Sequence, residues 1–247
     1  MYAGAMKDKS LDSRLVLQNV SHSYGAIAVL NDLNLVVNPG EVVVLVGPSG
    51  CGKTTILNLL SGHIEAVSGS IHREGIIRTV YQHDGLFPWL TVSENITIGL
   101  RSMMDAAKRA KEMRELVELI HLEGFEHHYP HQLSGGMRQR VELARVLAGD
   151  SDILLMDEPF SALDYQTRLR MRRELVRILK QRPRTVVFVT HDIEEAAQLA
   201  DRVLVLSNRP ATISRELQIN AQRPRDLTDH AVIEAMKAIL TELGLQV

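Results

Sequence analysis

Residues 41–62 read EVVVLVGPSGCGKTTILNLLSG. A short, continuously apolar run ends at Gly47, and an apolar helical pattern begins just after Lys53. The run lacks the alternation of a half-exposed strand, so it reads as a strand buried on both faces. Between strand and helix, Gly47, Pro48, Ser49, Gly50, Cys51, Gly52, Lys53 and Thr54 fit G-x-x-x-x-G-K-[ST] at every position. Glycines let such a backbone curl so that successive N–H groups point inward at phosphate. The helix N-terminus adds partial positive charge. Lys53 has the reach for β- and γ-phosphates, and the Thr54 hydroxyl suits a Mg²⁺ ion, with Thr55 following. A plain glycine-rich turn is the alternative, but motif and context agree on a bound nucleotide.

Working outward, DILLMDE, RTVVFVTHD and RVLVLSN share the character of the first strand. Helical patterns lie between them, which predicts an α/β core around a mostly parallel sheet. Upstream, RLVLQNVSHSY and VLNDLNLVV show broken apolar/polar alternation, as half-buried antiparallel strands do. Residues 84–150 have no convincing strand. DAAKRAKEMRELVELIHL and GGMRQRVELARVLAG there read as amphipathic helices, carried as an insertion by the core. The tail DHAVIEAMKAILTELG places Val232, Ile233, Met236, Ile239, Leu240 and Leu243 on one stripe, which predicts a helix with one buried face.

Composition limits the functions available. Hydrophobic residues make up 45% and charged residues 23% of the 247, ordinary for a soluble globular protein. A net charge of −2 gives no strong electrostatic reason to bind nucleic acid or an anionic membrane. Arg168, Arg170, Arg172 and Arg173 form a tempting basic run, but Glu174 follows and the pattern is helical, so a solvated helix face is expected. The single cysteine excludes an internal disulfide and suits a reducing compartment. No run has signal-peptide or membrane-spanning length. The expectation is a cytoplasmic chain whose membrane role comes through a partner.

Two further constellations carry chemistry. Asp157 and Glu158 follow an apolar strand, where α/β folds place their ligands. Asp157 fits the holding of Mg²⁺ through its water shell. Glu158 is placed to orient or deprotonate an attacking water. Alone, the pair could simply open a polar loop; beside a phosphate loop it reads as catalytic. Residues 131–145, HQLSGGMRQRVELAR, open a second helix on a glycine-rich start, with no general base, nucleophile or metal-ligand cluster. That is an anion site without chemistry of its own.

Together GPSGCGKTT, LSGGMRQR, ILLMDEPFSALD and VTHD resemble, in order and across nearly the whole chain, the ATP-binding-cassette (ABC) ATPases. L-S-G-G-x-x-x-R is the specific part, and it separates the chain from GTPases and P-loop kinases. The resemblance implies a P-loop NTPase core of ABC ATPase type with an antiparallel β subdomain and an inserted α-helical subdomain. It implies one domain over 14–247: core at approximately 14–83 and 151–225, helical part at 84–150, a C-terminal helix at 228–244, and residues 1–13 as a tail.

The same resemblance implies site roles. Ser134, Gly135 and Gly136 would contact the γ-phosphate held by an opposite subunit. Gln82 would join core to helical part and sense Mg²⁺ and water. Asp164 would communicate across the dimer, His191 would act near the γ-phosphate, and Tyr24 would stack on adenine. In isolation, a structural role for His191 and a plain surface-strand role for Tyr24 would be favoured; the ordered set of motifs turns both toward function. Cofactors are ATP and Mg²⁺. Partners are a second copy or paralogue, integral membrane permease subunits and, indirectly, a solute-binding protein, with the chain peripheral at the cytoplasmic face of the membrane.

Long inserts of repair ATPases are excluded by the short stretch between Gln82 and Ser134. YQHDGLFPWLTVSENI looks like the subfamily serving nitrate, sulfonate, taurine and related small anions. There Phe87 and Trp89 would anchor the permease's coupling helix, unless they pack internally. No large regulatory domain is expected after the last helix. A soluble switch without transport, and an exporter or lipid-handling ATPase, stay open. One departure is HREGIIRT, shorter than the usual connection, which implies a trimmed sheet edge.

Overall fold

The computed structural model describes residues 15–81, 85–101 and 105–245. The expected tail at 1–13 and the candidate Gln82 lie outside the described residues.

β1 (Leu15–Tyr24) and β2 (Ile27–Val37) form an antiparallel pair, and β4 (Ser68–Arg73) joins β1 on its other edge. The second sheet runs β5-β6-β7-β3-β8-β9, from β3 (Val42–Val46), β5 (Ile77–Val80), β6 (Ile153–Asp157), β7 (Thr185–Val189), β8 (Arg202–Leu206) and β9 (Ile213–Gln218). All of its pairings are parallel except β8 with β9. β4 and β5 are joined by Glu74-Gly75-Ile76 alone. The sequence pattern did not announce β5 or β9: the first is a four-residue edge and the second is mostly exposed.

Strand β3 shows why its sequence is apolar throughout. Val42, Val44 and Val46 belong to one buried cluster, with β7's Val186 and Phe188 and with helical residues Ile96, Val141 and Leu175. Val43 and Leu45 belong to the other, under β1, β2 and α1 (Lys53–Ser61). Successive side chains of a strand point to opposite faces, so a strand between two cores has no polar face. Each such side chain contributes about 1.5–3 kcal/mol of burial.

Between β5 and β6 the described residues hold only helices: α2 (Val92–Gly99), α3 (Ala106–Leu119), a single 3-10 turn and α4 (Gly135–Leu147). Their starts are capped: Thr91 and Glu94 form a reciprocal capping box, and the Asp105 carboxylate accepts from the N–H groups of Ala107 and Lys108. Helix α5 (Tyr165–Gln181) follows β6 and α6 (Ile193–Leu199) follows β7. Helix α7 (His230–Glu242) buries Val232 and Ile239 fully, but Ile233, assigned to the same stripe, is 38% exposed. The stripe is narrower than its apolar residues suggest, because α7 packs on the body along one line. Among the described residues no helix is long and apolar enough to cross a membrane.

Candidate functional site

The phosphate loop, Glu158 and His191 all follow the carboxyl ends of adjacent strands: β3, β6 and β7. Parallel strands bring such ends to one edge of the sheet, the usual ligand edge of open α/β sheets. The loop is curled by glycines. Gly50 and Gly52 take φ of 71° and 124°, and a Cβ on Gly52 would lie 2.9 Å from Val29 Cγ1. The Lys53 ammonium is folded over the loop, donating to the carbonyls of Gly47 at 2.8 Å and Pro48 at 2.9 Å. Thr54 is exposed on the first turn of α1, and Thr55 is buried behind it. Pro48 and Ser49 form the outer wall of the curl, and Cys51 packs inward. A loop curled by glycines, a helix start and a lysine fit a polyphosphate.

Asp157 is buried at the last position of β6. Glu158 follows with φ of 47°, a left-handed conformation that costs a non-glycine residue about 1 kcal/mol or more. Its N–H donates to the Val189 carbonyl at 2.9 Å, which ties it to β7. Its carboxylate Oε2 lies 3.2 Å from Nδ1 of His191, whose ring is largely exposed. A carboxylate held by backbone strain against an exposed imidazole is an acid–base pair open to a substrate.

A network beneath this pair fixes it. Glu195 is buried in α6 and accepts from Thr190 Oγ1 at 2.7 Å and from Arg172 Nη2 at 3.1 Å. Burial pushes the Glu195 carboxyl up, against the pull of Arg172. Asp192 caps α6 and accepts from Arg172 at 2.6 Å and Arg168 at 3.0 Å. Arg168 also donates to the Leu163 carbonyl. The expected solvated arginine face is therefore corrected in part: Arg172 is 2% exposed and is spent on the loop carrying His191. Arg170 and Arg173 are exposed as expected.

The second glycine-rich start is elsewhere. Ser134 caps α4, its hydroxyl accepting from the Met137 N–H, and both Ser134 and Gly135 are exposed. Atoms nearest the loop glycines Gly47, Gly50 and Gly52 come from Cys51, Leu206, Arg209, Val29 and Leu30, none of them from the helical segment. The two glycine-rich starts are thus not in contact at these glycines. Gly136 rests on the loop after Glu158, its would-be Cβ 3.0 Å from the Ala162 carbonyl. Asp164 caps α5, and its hydrogen bonds with Thr167 hold its carboxyl below the usual range. Tyr24 is 50% exposed at the end of β1, edge-on to His22 at 4.8 Å between ring centroids.

Phe87 and Trp89 do not pack internally. They are 36% and 68% exposed, 5.5 Å apart, with the Arg145 guanidinium over the Phe87 ring. Sequence reasoning missed what holds this segment. Buried Glu142 accepts from the N–H groups of Tyr81 and Gly85, both at 3.2 Å, and Arg145 donates to the Gly85 carbonyl. It also missed Gln139, which donates to the Glu158 carbonyl at 3.1 Å, and Arg209, whose guanidinium lies 3.9 Å from where a Cβ on Gly50 would sit.

Comparison with known proteins agrees with this geometry. A family model described as ABC transporter matches residues 30–161. An aliphatic sulfonates import ATP-binding protein of Pseudomonas syringae pv. tomato is 42% identical over 222 residues, covering 90% of this chain and 94% of that protein. A second, from Rhodococcus jostii, is 42% identical over 238 residues and covers 94% of each. The solved dimeric structure of a bacterial ABC transporter cassette superposes with a TM-score of 0.76 at 32% identity, over 84% of this chain and all of that one. A post-hydrolysis state of a cassette bound to ADP and Pi superposes equally well. With buried strands delivering a phosphate loop and a Glu–His pair to one edge, and with these likenesses across most of its length, the chain belongs to the ABC transporter family.

Proposed function

We propose that this ATPase works as a head-to-tail pair at the cytoplasmic face of a membrane, driving a permease that imports a small sulfonate or a related anion. The observation that carries the pairing is a second glycine-rich helix start, exposed at Ser134 and Gly135, whose nearest neighbours are Arg138, Ala162 and Leu163 and not the phosphate loop. One start has chemistry beside it. The other, Ser134–Gly136, has none, is exposed at Ser134 and Gly135, and suits a γ-phosphate held by another copy.

In each site Lys53 and the N–H groups of residues 50–55 neutralise phosphate charge, and Tyr24 offers its exposed ring to adenine. Thr54, Asp157 and Gln82 would hold Mg²⁺, which supplies further charge neutralisation on the phosphates. Glu158 accepts a proton from water as the water oxygen attacks the γ-phosphorus, and ADP leaves. His191 holds that carboxylate in place. Asp164 lies on the loop that also supports Gly136, so it is suited to report from one site to the other. Phe87 and Trp89 give the permease an apolar foothold, as aromatic anchors do at interfaces. The sulfonate class rests on the relatives' names. The exposed aromatic pair favours a membrane partner over a free-standing switch.

The test is the mass in solution of Glu158→Gln with and without MgATP, then with Ser134→Arg added. A dimer that forms only with MgATP and is lost with the arginine supports the trans-completed site. A dimer indifferent to ATP, or to the arginine, would sink it. For the substrate class, vesicles holding the co-purified permease should accumulate a short alkanesulfonate at the expense of ATP.

A further inference from the structure

Helix α4 begins at the exposed start Ser134 and runs through the molecule toward β5. One side chain on it touches the catalytic strand end. Gln139 is buried, and both ends of its amide are used. Nε2 donates to the Glu158 carbonyl at 3.1 Å and to Ser161 Oγ at 3.3 Å. Oε1 accepts from the Ala162 N–H at 3.0 Å. Ser161 Oγ in turn donates to the same Glu158 carbonyl at 3.0 Å. The residue so held is the one with the left-handed backbone, φ 47°. Such a conformation persists only where surrounding contacts over-determine it.

Gly136 supports the same loop by a second route. Its bare Cα face leaves 3.0 Å between a would-be Cβ and the Ala162 carbonyl, so the start of α4 sits directly on the Ala162 peptide. Gln139 follows Ser134 by little more than one helical turn, a rise of about 7–8 Å. A shift of Ser134–Gly136 on meeting a phosphate cannot leave Gln139 behind, because a packed helix moves as a body.

We propose that Gln139 is a positioning residue that relays engagement of the signature start in one site to the Glu158 backbone in the other. It rests on the trans-completed site proposed above. Ser134–Gly136 of one chain meet the nucleotide of its partner, and Gln139 of that first chain sets the carboxylate that acts on its own nucleotide. The relay makes hydrolysis at the two sites cooperative. It predicts that Gln139 affects turnover and cooperativity and leaves nucleotide affinity alone, since none of its hydrogen bonds reaches the phosphate loop.

The experiment uses Gln139→Met, similar in length but without the amide, and Gln139→Glu. The carboxylate keeps the acceptor for the Ala162 N–H and loses the donor to Glu158. ATP turnover is measured against MgATP concentration, with thermal melting as a control. Dimer formation is measured in the Glu158→Gln background. The expected result in both variants is a kcat lowered about tenfold to a hundredfold with KM within about twofold. A Hill coefficient above 1 in the parent should fall to about 1, while MgATP still drives the dimer. Should Gln139→Met fold poorly, Gln139→Glu decides, since it retains one of the bonds. Unchanged kcat and Hill coefficient would overturn the relay and leave Gln139 as packing. A parent chain with no cooperativity would overturn it too, as would loss of the dimer along with turnover, which would mean Gln139 only props up the signature start. If Glu158→Gln alone never dimerises with MgATP, the trans-completed site itself fails, and that result is distinct from the others.

Discussion

The two glycine-rich helix starts of this chain are built in opposite ways. At the phosphate-loop edge charge and strain gather: Lys53, Asp157, Glu158 and His191 lie at or just beyond the ends of β3, β6 and β7, and Gly50, Gly52 and Glu158 all take positive φ. Ser134–Gly136 themselves carry no ionisable side chain, and their backbone is that of an ordinary capped helix. The first lies on strands buried from both sides, which hold strained groups at small tolerance. The second lies on a helical segment that shares a buried apolar cluster with the core and is also tied to it by polar side chains: Gln139, Glu142, Arg145 and Glu112. Chemistry is placed where the scaffold is stiff. The proposed recognition start is placed on the inserted helical segment instead.

The largest effect separating the two halves is expected at Glu158. Replacing it by Gln leaves size and the backbone contacts but removes the base, and turnover should fall about 10²–10⁴-fold. ADP affinity, measured by calorimetry, should stay within about twofold of the parent. Ser134→Ala in the other half removes a cap, worth about 1 kcal/mol of helix stability, and one hydroxyl proposed to meet the partner copy's phosphate, but no proton acceptor, so its cost in turnover should be smaller. If the two changes cost turnover equally, the division into a chemical and a geometric half is wrong.

Glycine to alanine changes sharpen the contrast. At Gly52 the methyl would meet Val29 at 2.9 Å and Leu30 at 3.0 Å in a backbone that side chains rarely adopt. Gly52→Ala should abolish ADP binding by the isolated chain. At Gly136 the methyl meets the Ala162 carbonyl at 3.0 Å and Leu163 at 3.3 Å, with an ordinary φ. Overpacking of that kind costs about 1–3 kcal/mol. Gly136→Ala should slow turnover several-fold with ADP affinity unchanged. At Gly135 the nearest atom is the flexible end of Arg138 at 3.9 Å, so Gly135→Ala should be the mildest in the folded monomer.

The sequence showed the charged half better than its supports. Gly47–Thr54 and Glu158 are legible because the motif is contiguous and its physics local. The strands that carry them are legible because burial on both faces leaves no polar position. Gln139 is invisible in the same reading, since its partners lie 19 to 23 positions away. So is Glu142, whose partners lie 57 and 61 positions away. A glutamine or glutamate inside an amphipathic helix is ordinary until the fold shows what it faces. Arg172 misled for a related reason: an arginine in a charged run reads as solvated, yet enough carboxylates converge on it to bury it. Ile233 erred in the other direction, because periodicity gives the direction of an apolar face and not its width.

The smallest effect tests the joint between the two regions. Glu112 in α3 and Arg182 at the end of α5 form a two-pronged pair, at 2.6 and 2.9 Å. The Arg182 guanidinium holds the Glu112 carboxyl below its ordinary range, ahead of an opposing push from burial. Because the folded value is lowered, the unfolded chain binds the proton more readily. The pair's stabilisation is therefore complete above the ordinary carboxylate value and is lost as pH falls through the lower, folded one. Arg182 is half exposed, so solvent screening limits the pair to about 0.5–1 kcal/mol. Glu112→Gln should lower Tm by a few degrees at about pH 7, and the gap from the parent should close as acidification carries the pH below the ordinary carboxylate value and through the lower, folded one. A gap that persisted in acid would mean that the glutamate acts by packing. No gap at neutral pH would mean that the helical segment is held by its buried contacts, Glu142 and Gln139 among them, and that this surface pair adds nothing to the joint.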